Sequence, residues 1–285
     1  LILLGHGHFA FGQTAEKSYN QIISHTQTVA DYLNLENPTA LNVKASHSSH
    51  GVLPVIRGLI AEMIGPNAAM PIIDVRNGPE EMKFLKRNDL ESLSERGTAS
   101  PDHVIRIKGR PLVLRKSVWE QGRSAIKEAL KDYEIEYKAM FERQAPKAAQ
   151  PKTILPPDPK TIWMEGVGLL GLGANFKSAS IAGDLVVQNA RVRSVGEDAG
   201  GFYPIGEKDL FDCEYWSLEQ AKLGKGKAPP FQGKVVMVTG GSGTIGFETA
   251  KAFSSLGAQC FLVDINQENL DIVTEKLGPG HFGKA

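Results

Sequence analysis

The sequence VVMVTGGSGTIG, from Val235 to Gly246, joins an apolar run to a glycine-rich turn. Its four leading apolar residues predict a buried parallel strand, and the apolar residues of 247–256 then recur at near-helical spacing up to Gly257. A second apolar run at 260–263 ends at Asp264, 18 residues beyond Gly246. This order predicts a strand, a helix that begins at the glycine turn, and a second parallel strand that ends in an acid.

Such a unit is suited to a dinucleotide. Glycines at 241, 243 and 246 allow a tight turn, close approach of a pyrophosphate and close packing of helix on strand. The helix N-terminus offers unpaired N–H groups to the phosphates. The carboxylate of Asp264 can accept hydrogen bonds from ribose hydroxyls and would repel a 2′-phosphate, which favours NAD over NADP. The predicted cofactor-binding residues are Gly240, Gly241, Ser242, Gly243, Thr244, Ile245, Gly246, Asp264 and Ile265. A glycine turn without a ligand is the alternative.

Composition indicates a soluble cytoplasmic protein that acts on small molecules. The 285 residues hold 32 basic and 32 acidic side chains, so no net charge attracts nucleic acid or an anionic membrane. Only Cys213 and Cys260 occur, without a C-x-x-C pair, which suits a reducing compartment. The apolar opening 1–4 is too short to cross a bilayer, and we expect a buried strand there. The oligomeric state stays open, a homo-oligomer included.

The glycine turn, preceded by Gly233-Lys234, resembles the start of a short-chain dehydrogenase. That family commonly has glycines at the positions of 240, 244 and 246, whereas Thr244 here gives the extended-type spacing 240, 243 and 246. The resemblance implies a catalytic Ser and a Tyr-x-x-x-Lys pair far beyond the turn, but Ala285 lies only 39 residues past Gly246. We therefore expect a fragment cut at both ends, with no catalytic residue of its own and no activity in isolation.

The opening LILLGHGHFAFG, residues 1–12, is similar to the last metal-binding strand of class II aldolases of the adducin-like family. The resemblance implies that His6 is one of three imidazoles on a zinc ion that polarises a ketose carbonyl. The other ligands and an acid-base Glu would precede Leu1. A histidine at a strand end or in a core is the alternative for His6, and His8 is interpreted as incidental. The remaining histidines, at 25, 47, 50, 103 and 281, are interpreted as surface or loop residues.

A weak internal repeat relates residues 1–12 to residues 162–173. At a constant offset of 161, glycines 5, 7 and 12 fall on glycines 166, 168 and 173, and Val167 falls on His6. The pattern indicates a second, degenerate copy that cannot hold a metal, because valine carries no donor atom. A chance coincidence of glycines is the alternative. The turn at 166–173 is interpreted as structural.

Segments 101–106 and 209–223 resemble stretches of bacterial bifunctional proteins that fuse a class II aldolase, an aldolase-like middle region and a short-chain dehydrogenase. The implied fold class is α/β: the C-terminal part of an aldolase domain at 1–35, the middle region at 36–222, and the first half of a Rossmann domain at 231–285. The family implies zinc-dependent cleavage of a deoxy-ketose 1-phosphate of the rhamnulose type, as in rhamnose catabolism, and NAD-dependent oxidation or reduction of the small aldehyde or alcohol product. The alternatives are a dehydrogenase with a non-catalytic aldolase-like scaffold and a non-enzymatic NAD-binding module.

Hydrophobic periodicity predicts the remaining elements. Residues 117–143 form the longest predicted helix, and the proline-rich segment 146–159 is predicted to be a stiff, exposed connector. Segment 209–223 is predicted to be an amphipathic helix and turn that docks the nucleotide-binding part through Tyr215 and Trp216. A second linker is predicted at 223–232. The other predicted helices lie at 15–33, 52–64, 79–85 and 89–94, with strands at 71–75 and ending near 114.

Overall fold

The structure, a computed structural model, describes residues 1–3, 7–35, 51–66, 68–222 and 227–285. Its first part contains strands β1 (Ile2–Leu3) and β2 (Gly7–His8) and helices α1 (Ala15–Tyr32) and α2 (Val52–Ile64). The central part follows with β3 (Ile72–Arg76), α3 (Pro79–Phe84), α4 (Leu90–Ser94), α5 (Pro101–Ile107), β4 (Leu112–Leu114), α6 (Lys116–Trp119), α7 (Arg123–Gln144), β5 (Thr161–Met164), β6 (Gly168–Gly173), α8 (Phe176–Asp198), α9 (Glu207–Glu214) and α10 (Ser217–Lys222). The last part contains β7 (Val235–Thr239), α11 (Thr244–Ser255), β8 (Gln259–Val263), α12 (Gln267–Leu277) and β9 (Phe282–Lys284).

A four-stranded mixed sheet organises the central part. Its strand order is β3-β6-β5-β4, with β5 antiparallel to β6 and parallel to β4. Every residue of β5 is buried, because one face of the sheet packs on α2 and α7 and the other on α8. Trp163 lies on the α8 side, with the Phe84 ring edge-on at 4.9 Å between centroids. The mixed α/β class predicted from the sequence is confirmed.

Glycines in β6 let helix α8 approach the sheet closely. A Cβ on Gly171 would lie 2.6 Å from the carbonyl oxygen of Ala179, and one on Gly173 would lie 2.6 Å from the carbonyl carbon of Ser178. These distances are far shorter than van der Waals contact. The glycine-rich segment 166–173 is therefore a hairpin built for helix packing, which agrees with its interpretation as a structural turn.

Two helix predictions are wrong. The helix predicted at 117–143 is divided into α6 and α7, because the backbone at Gly122 has φ = 96° and interrupts the helix. The longest described helix is instead α8, with 23 residues, which hydrophobic periodicity did not predict. Helix α2, by contrast, has the predicted bounds.

The last part is a three-stranded parallel sheet of order β7-β8-β9, in agreement with the predicted strand-helix-strand unit. Helices α11 and α12 pack on the same face, around Val238 and Leu262. The prediction that all of 235–238 is buried is wrong: Val235 is 56% and Met237 is 66% exposed. Alternate residues of a strand point to opposite faces, and these two lie on the face away from both helices.

The first strand is also less buried than predicted. Residues 1–3 and 7–9 form an antiparallel hairpin, and Ile2 in β1 is 73% exposed.

The hairpin supports the internal repeat. Ile2 pairs with His8 and Leu3 with Gly7, while Trp163 pairs with Leu169 and Met164 with Gly168. Each residue of the second set follows its counterpart in the first by the same offset of 161.

The helices that follow the two hairpins extend the correspondence. Thr14 caps α1 by accepting from the Lys17 N–H, and Asn175 caps α8 by accepting from the Ser178 N–H. The cap residues and the donors are again 161 apart. A coincidence of glycines would not reproduce strand register and helix capping together, so the structure favours duplication.

The linker predictions are partly wrong. The connector 146–159 is irregular apart from the short turn Ala145–Lys147, but Asp158 within it is buried. The docking role predicted for segment 209–223 is not observed, because helix α9 of that segment packs on α5 and α7 rather than on the nucleotide-binding part. Tyr215 stacks on Phe211 at 4.5 Å between ring centroids, and Trp216 is 52% exposed. Residues 223–226 of the second linker lie outside the described residues. Within the described ranges, no helix is both long and apolar enough to cross a bilayer.

Candidate functional site

The glycine-rich turn between β7 and α11 leads into the exposed start of a helix. Gly240 has φ = 64°, a conformation that favours glycine, and the Gly241 N–H donates to Val263 O at 3.1 Å. Gly243 caps α11, and no side-chain hydrogen bond occupies that cap. The first helical residues, Thr244 and Ile245, are exposed, with Ile245 at 85%. The start of the helix therefore faces open space.

Two glycines of the turn leave no room for a side chain. A Cβ on Gly246 would lie 2.8 Å from the carbonyl carbon of Gly240, and one on Gly241 would lie 2.8 Å from Cβ of Leu262. Gly243 differs, because its Cβ would meet only Gly240 O, at 3.4 Å. Gly246 thus holds the helix against the turn, and Gly241 holds the turn against β8.

The acid at the end of β8 points towards the same turn. Oδ2 of Asp264 accepts hydrogen bonds from the Ser242 backbone N–H at 2.9 Å and from the Ser242 hydroxyl at 2.6 Å. Its Oδ1 accepts from the Ile265 N–H at 2.7 Å. The bonds from Ser242, and then that from Ile265, lower the pKa of Asp264 below its usual value, so this carboxyl is ionised at neutral pH. The Ile265 side chain is 98% exposed.

The structure thus brings together all the residues predicted to bind the cofactor, from Gly240 to Gly246 with Asp264 and Ile265. The glycines let the turn pack closely on β8 and on the start of α11, and a carboxylate stands at the tip of the neighbouring strand. A dinucleotide would take its phosphates at the N–H groups of the turn and its adenosine ribose near Asp264. The N–H groups of Gly241, Ser242 and Gly243 are already bonded within the protein, so the N–H groups of the first turn of α11 would hold the phosphates.

The predicted metal ligand cannot be placed. His6 lies outside the described residues, and within the described part no group of three or more His, Cys, Asp or Glu side chains is suitably arranged for a metal ion. Val167, the counterpart of His6 in the repeat, is 1% exposed and packs in the core beside α2.

One histidine is not the surface or loop residue predicted. His103 is buried in α5, between the Ser100 hydroxyl at 2.7 Å and Gln188 Oε1 at 3.0 Å, and burial lowers its pKa. His281 lies in the loop before β9, as predicted, where it is half-buried and accepts the Cys260 N–H at 3.0 Å. Both bonding patterns join elements of the fold. His47 and His50 lie outside the described residues.

Sequence reasoning missed one group of polar residues, around Lys108. Lys108, Tyr137 and Glu214 lie on three different elements, and all three are buried. The Tyr137 hydroxyl donates to Glu214 Oε1 at 2.7 Å, and the Lys108 Nζ lies 3.8 Å from the centre of the Tyr137 ring. No spacing in the sequence relates these positions. The one local feature that could have pointed to this group is a lysine directly before Gly109, at the end of a short helix.

Two parts of the chain match known protein families. Residues 47–223 match the family described as "Aldolase class II, second domain", and residues 234–282 match "short chain dehydrogenase". Because the first match covers more than half of the chain, the protein belongs to the class II aldolase second-domain family, here fused to a short-chain dehydrogenase segment.

A similar protein is the "Uncharacterized oxidoreductase YuxG" of Bacillus subtilis (strain 168). It is 26% identical over 297 residues, an alignment that covers 98% of this chain and 42% of the relative. The chain thus spans less than half the length of the relative that it matches. The fused aldolase and dehydrogenase regions predicted from the sequence are confirmed.

Proposed function

We propose that this chain belongs to a bifunctional cytoplasmic enzyme. Its aldolase half would split a deoxy-ketose 1-phosphate of the rhamnulose type, and a zinc ion to which His6 would contribute a ligand would polarise the ketose carbonyl. Its dehydrogenase half oxidises or reduces the small aldehyde or alcohol product with NAD. The two matched families support an aldolase joined to an oxidoreductase. The sugar, the metal and the choice of NAD are our inference.

The observation that carries the proposal is the position of Asp264 at the glycine turn. Its carboxylate is ionised and bonded to Ser242, at the place where an adenosine ribose meets the end of the second strand. A 2′-phosphate there would meet a like charge, which favours NAD. When bound, the dinucleotide supplies a nicotinamide that accepts or donates a hydride. This chain supplies the turn that binds the phosphates and the acid that orients the ribose.

Titration calorimetry with NAD and NADP tests the cofactor assignment. We expect measurable NAD affinity and at least about tenfold weaker NADP affinity, which corresponds to one unfavourable charge contact of roughly 1.4 kcal/mol. Equal affinity for the two dinucleotides would contradict the role of Asp264.

The two activities can be separated in the full-length protein that contains this chain. Replacing His6 with Ala should remove cleavage of L-rhamnulose 1-phosphate and leave NAD-dependent turnover of the aldehyde unchanged. Replacing Asp264 with Ala should instead raise the NAD concentration needed for turnover of the aldehyde by about tenfold and leave cleavage of the sugar phosphate unchanged. If neither the parent protein nor the His6→Ala variant cleaves the sugar phosphate, the aldolase-like region is a scaffold. The buried Val167 in the second copy of the hairpin favours that reading for the central domain.

A further inference from the structure

A cavity of about 460 Å³ lies within the central domain, away from the glycine turn. Four segments line it: residues 94–97, residues 108–111, one side of α7, and residues 202–214, which include α9. Its volume falls in the range of small-molecule sites, roughly 300–1,000 Å³. None of the residues proposed above for either activity lines this cavity.

Lys108, on the cavity wall, has an unusual backbone. It ends α5 with φ = 60° and ψ = 172°, a region in which almost only glycine is found. Its side chain is nevertheless buried, with 5% of the residue exposed. A strained backbone that carries a buried cation is costly, and such strain concentrates at functional sites.

The contacts of Lys108 leave its charge without a close acid. Its Nζ donates to Pro156 O at 2.5 Å and lies against the Tyr137 ring, but no carboxylate oxygen of the described residues lies within 4.0 Å. Asp158 and Glu214 act on it from a greater distance, with Lys160 opposing them. Burial lowers the pKa of Lys108 to about 8. Part of its donor capacity remains for a ligand.

Glu214 supplies an acceptor beside this donor. It is 3% exposed, and burial raises its pKa, while the Tyr137 hydroxyl both donates to it and lies 2.8 Å from the Tyr215 hydroxyl. The two phenols hold the carboxyl in place. The cavity wall therefore presents an amine and a carboxyl, each fixed by neighbouring groups.

The charges that line the cavity do not favour an anion. Its cations are Arg96, Lys108 and Arg110, and its acids are Glu95, Glu136, Glu207 and Glu214. Arg96 is already paired with Glu197 at 2.5 Å. Glu136 and Glu207 are each paired with Arg143, at 2.8 Å, so the lining side chains leave no net positive charge for a phosphate or carboxylate. Mixed donors and acceptors without net positive charge suit hydroxyl groups, which both donate and accept.

Aromatic rings complete the wall. Phe202, Tyr203 and Phe211 line the cavity, and Tyr203 is 83% exposed at its edge. Such rings pack against the C–H faces of a hydroxylated ring or chain. We propose that this cavity binds an uncharged polyhydroxylated compound of about monosaccharide size, with its hydroxyls at Lys108 and Glu214 and its apolar face against Tyr203.

Calorimetric titration of the full chain with D-fructose, L-fucose, xylitol and glycerol, and with D-fructose 1-phosphate as the charged probe, tests the proposal. We expect saturable binding of at least one neutral compound. D-fructose 1-phosphate should bind at least about tenfold more weakly than that compound, which corresponds to one unfavourable charge contact. Lys108→Met and Glu214→Gln should each abolish that binding. Tyr203→Ala, at an exposed position where folding is not at risk, should weaken it about fivefold.

Matched controls separate the site from general effects. Lys127→Met removes a lysine that is 67% exposed on α7, and Tyr19→Ala removes a tyrosine that is 63% exposed on α1; both should bind as the wild type does. Asp264→Ala should also bind normally, which keeps this test independent of the dinucleotide site. The proposal is overturned if no neutral compound binds, if the phosphate binds more tightly, or if Tyr203→Ala and Lys108→Met retain wild-type affinity while folded by circular dichroism.

Discussion

At the scale of single residues, Asp264 combines two roles. It orders the glycine turn through Ser242, and it presents a negative charge where a ribose would lie. We predict that Asp264→Ala lowers NAD affinity by about tenfold, because charge-assisted hydrogen bonds to the ribose are lost. Relative affinity for NADP should rise, since the like charge is gone. Calorimetry with both dinucleotides measures the change.

The matched control for this variant is Asp271→Ala. Asp271 is an exposed acid in the same part of the chain, and its carboxylate accepts a hydrogen bond from Gln267 Nε2 in the first turn of α12, at 2.7 Å. Its loss should leave affinity for both dinucleotides unchanged. If Asp264→Ala binds NAD as the wild type does, the ribose does not meet this carboxylate.

The second prediction concerns how the contribution of Lys108 to folding stability changes with pH. Its pKa in the folded state is about 8, below the ordinary 10.5, so between these values the unfolded chain binds more protons than the folded one. The stability contributed by this residue therefore rises with pH over that window and is lowest below pH 8. We expect the wild type to gain stability relative to Lys108→Met between pH 8 and 10, as measured by urea unfolding at each pH. A constant difference, or one that falls, would show that the amine is not desolvated.

At the scale of elements, the two hairpin-helix units share their register and capping but differ in their surroundings. Helix α8 is buried at seven positions, whereas α1 has no buried residue. We predict that Asn175→Ala lowers the free energy of unfolding by about 1 kcal/mol, because the capping box at a packed helix is lost. Thr14→Ala removes the equivalent cap and should leave the main unfolding transition unchanged. Equal losses in guanidinium unfolding would indicate that α1 packs as tightly as α8.

The elements also show what the sequence can and cannot reveal. Helix α2 was predicted with its observed bounds, because an apolar run lies between Gly51 and Gly65, which end it on both sides. Helix α8 was missed because its buried side carries small and polar residues such as Gly183, Asn189 and Arg193, which give no hydrophobic period.

The same distinction applies to the two sites. The glycine turn is local, so a dozen consecutive residues and one acid predicted its geometry. The cavity near Lys108 joins residues that lie up to 120 positions apart, from Ser94 to Glu214. Only tertiary packing brings these residues together, and no sequence motif identifies the cavity.

At the scale of the whole molecule, the two matched regions are joined by few contacts. Arg57 of α2 donates to Pro71 O at 2.8 Å and also to Gly233 O, just before β7. Phe176 lies beside Gly280. Among the described elements, extensive packing occurs only within each region. The three hydrophobic cores likewise divide between them, two in the central domain and one around β8. Two separate unfolding transitions follow from this arrangement.

All three tryptophans, at 119, 163 and 216, lie in the aldolase-like region, so their fluorescence reports that region alone. We predict that Gly246→Ala destabilises the dehydrogenase segment by about 1–3 kcal/mol, because its Cβ would lie 2.8 Å from the Gly240 carbonyl carbon. Circular dichroism should then show an early loss of structure while the tryptophan transition stays in place. Gly243→Ala, with its wider 3.4 Å contact, should have a much smaller effect. If the fluorescence and circular dichroism transitions of Gly246→Ala shift together, the two regions unfold as one cooperative unit. The hydrogen bonds of Arg57 would then couple the two regions more strongly than so few contacts suggest.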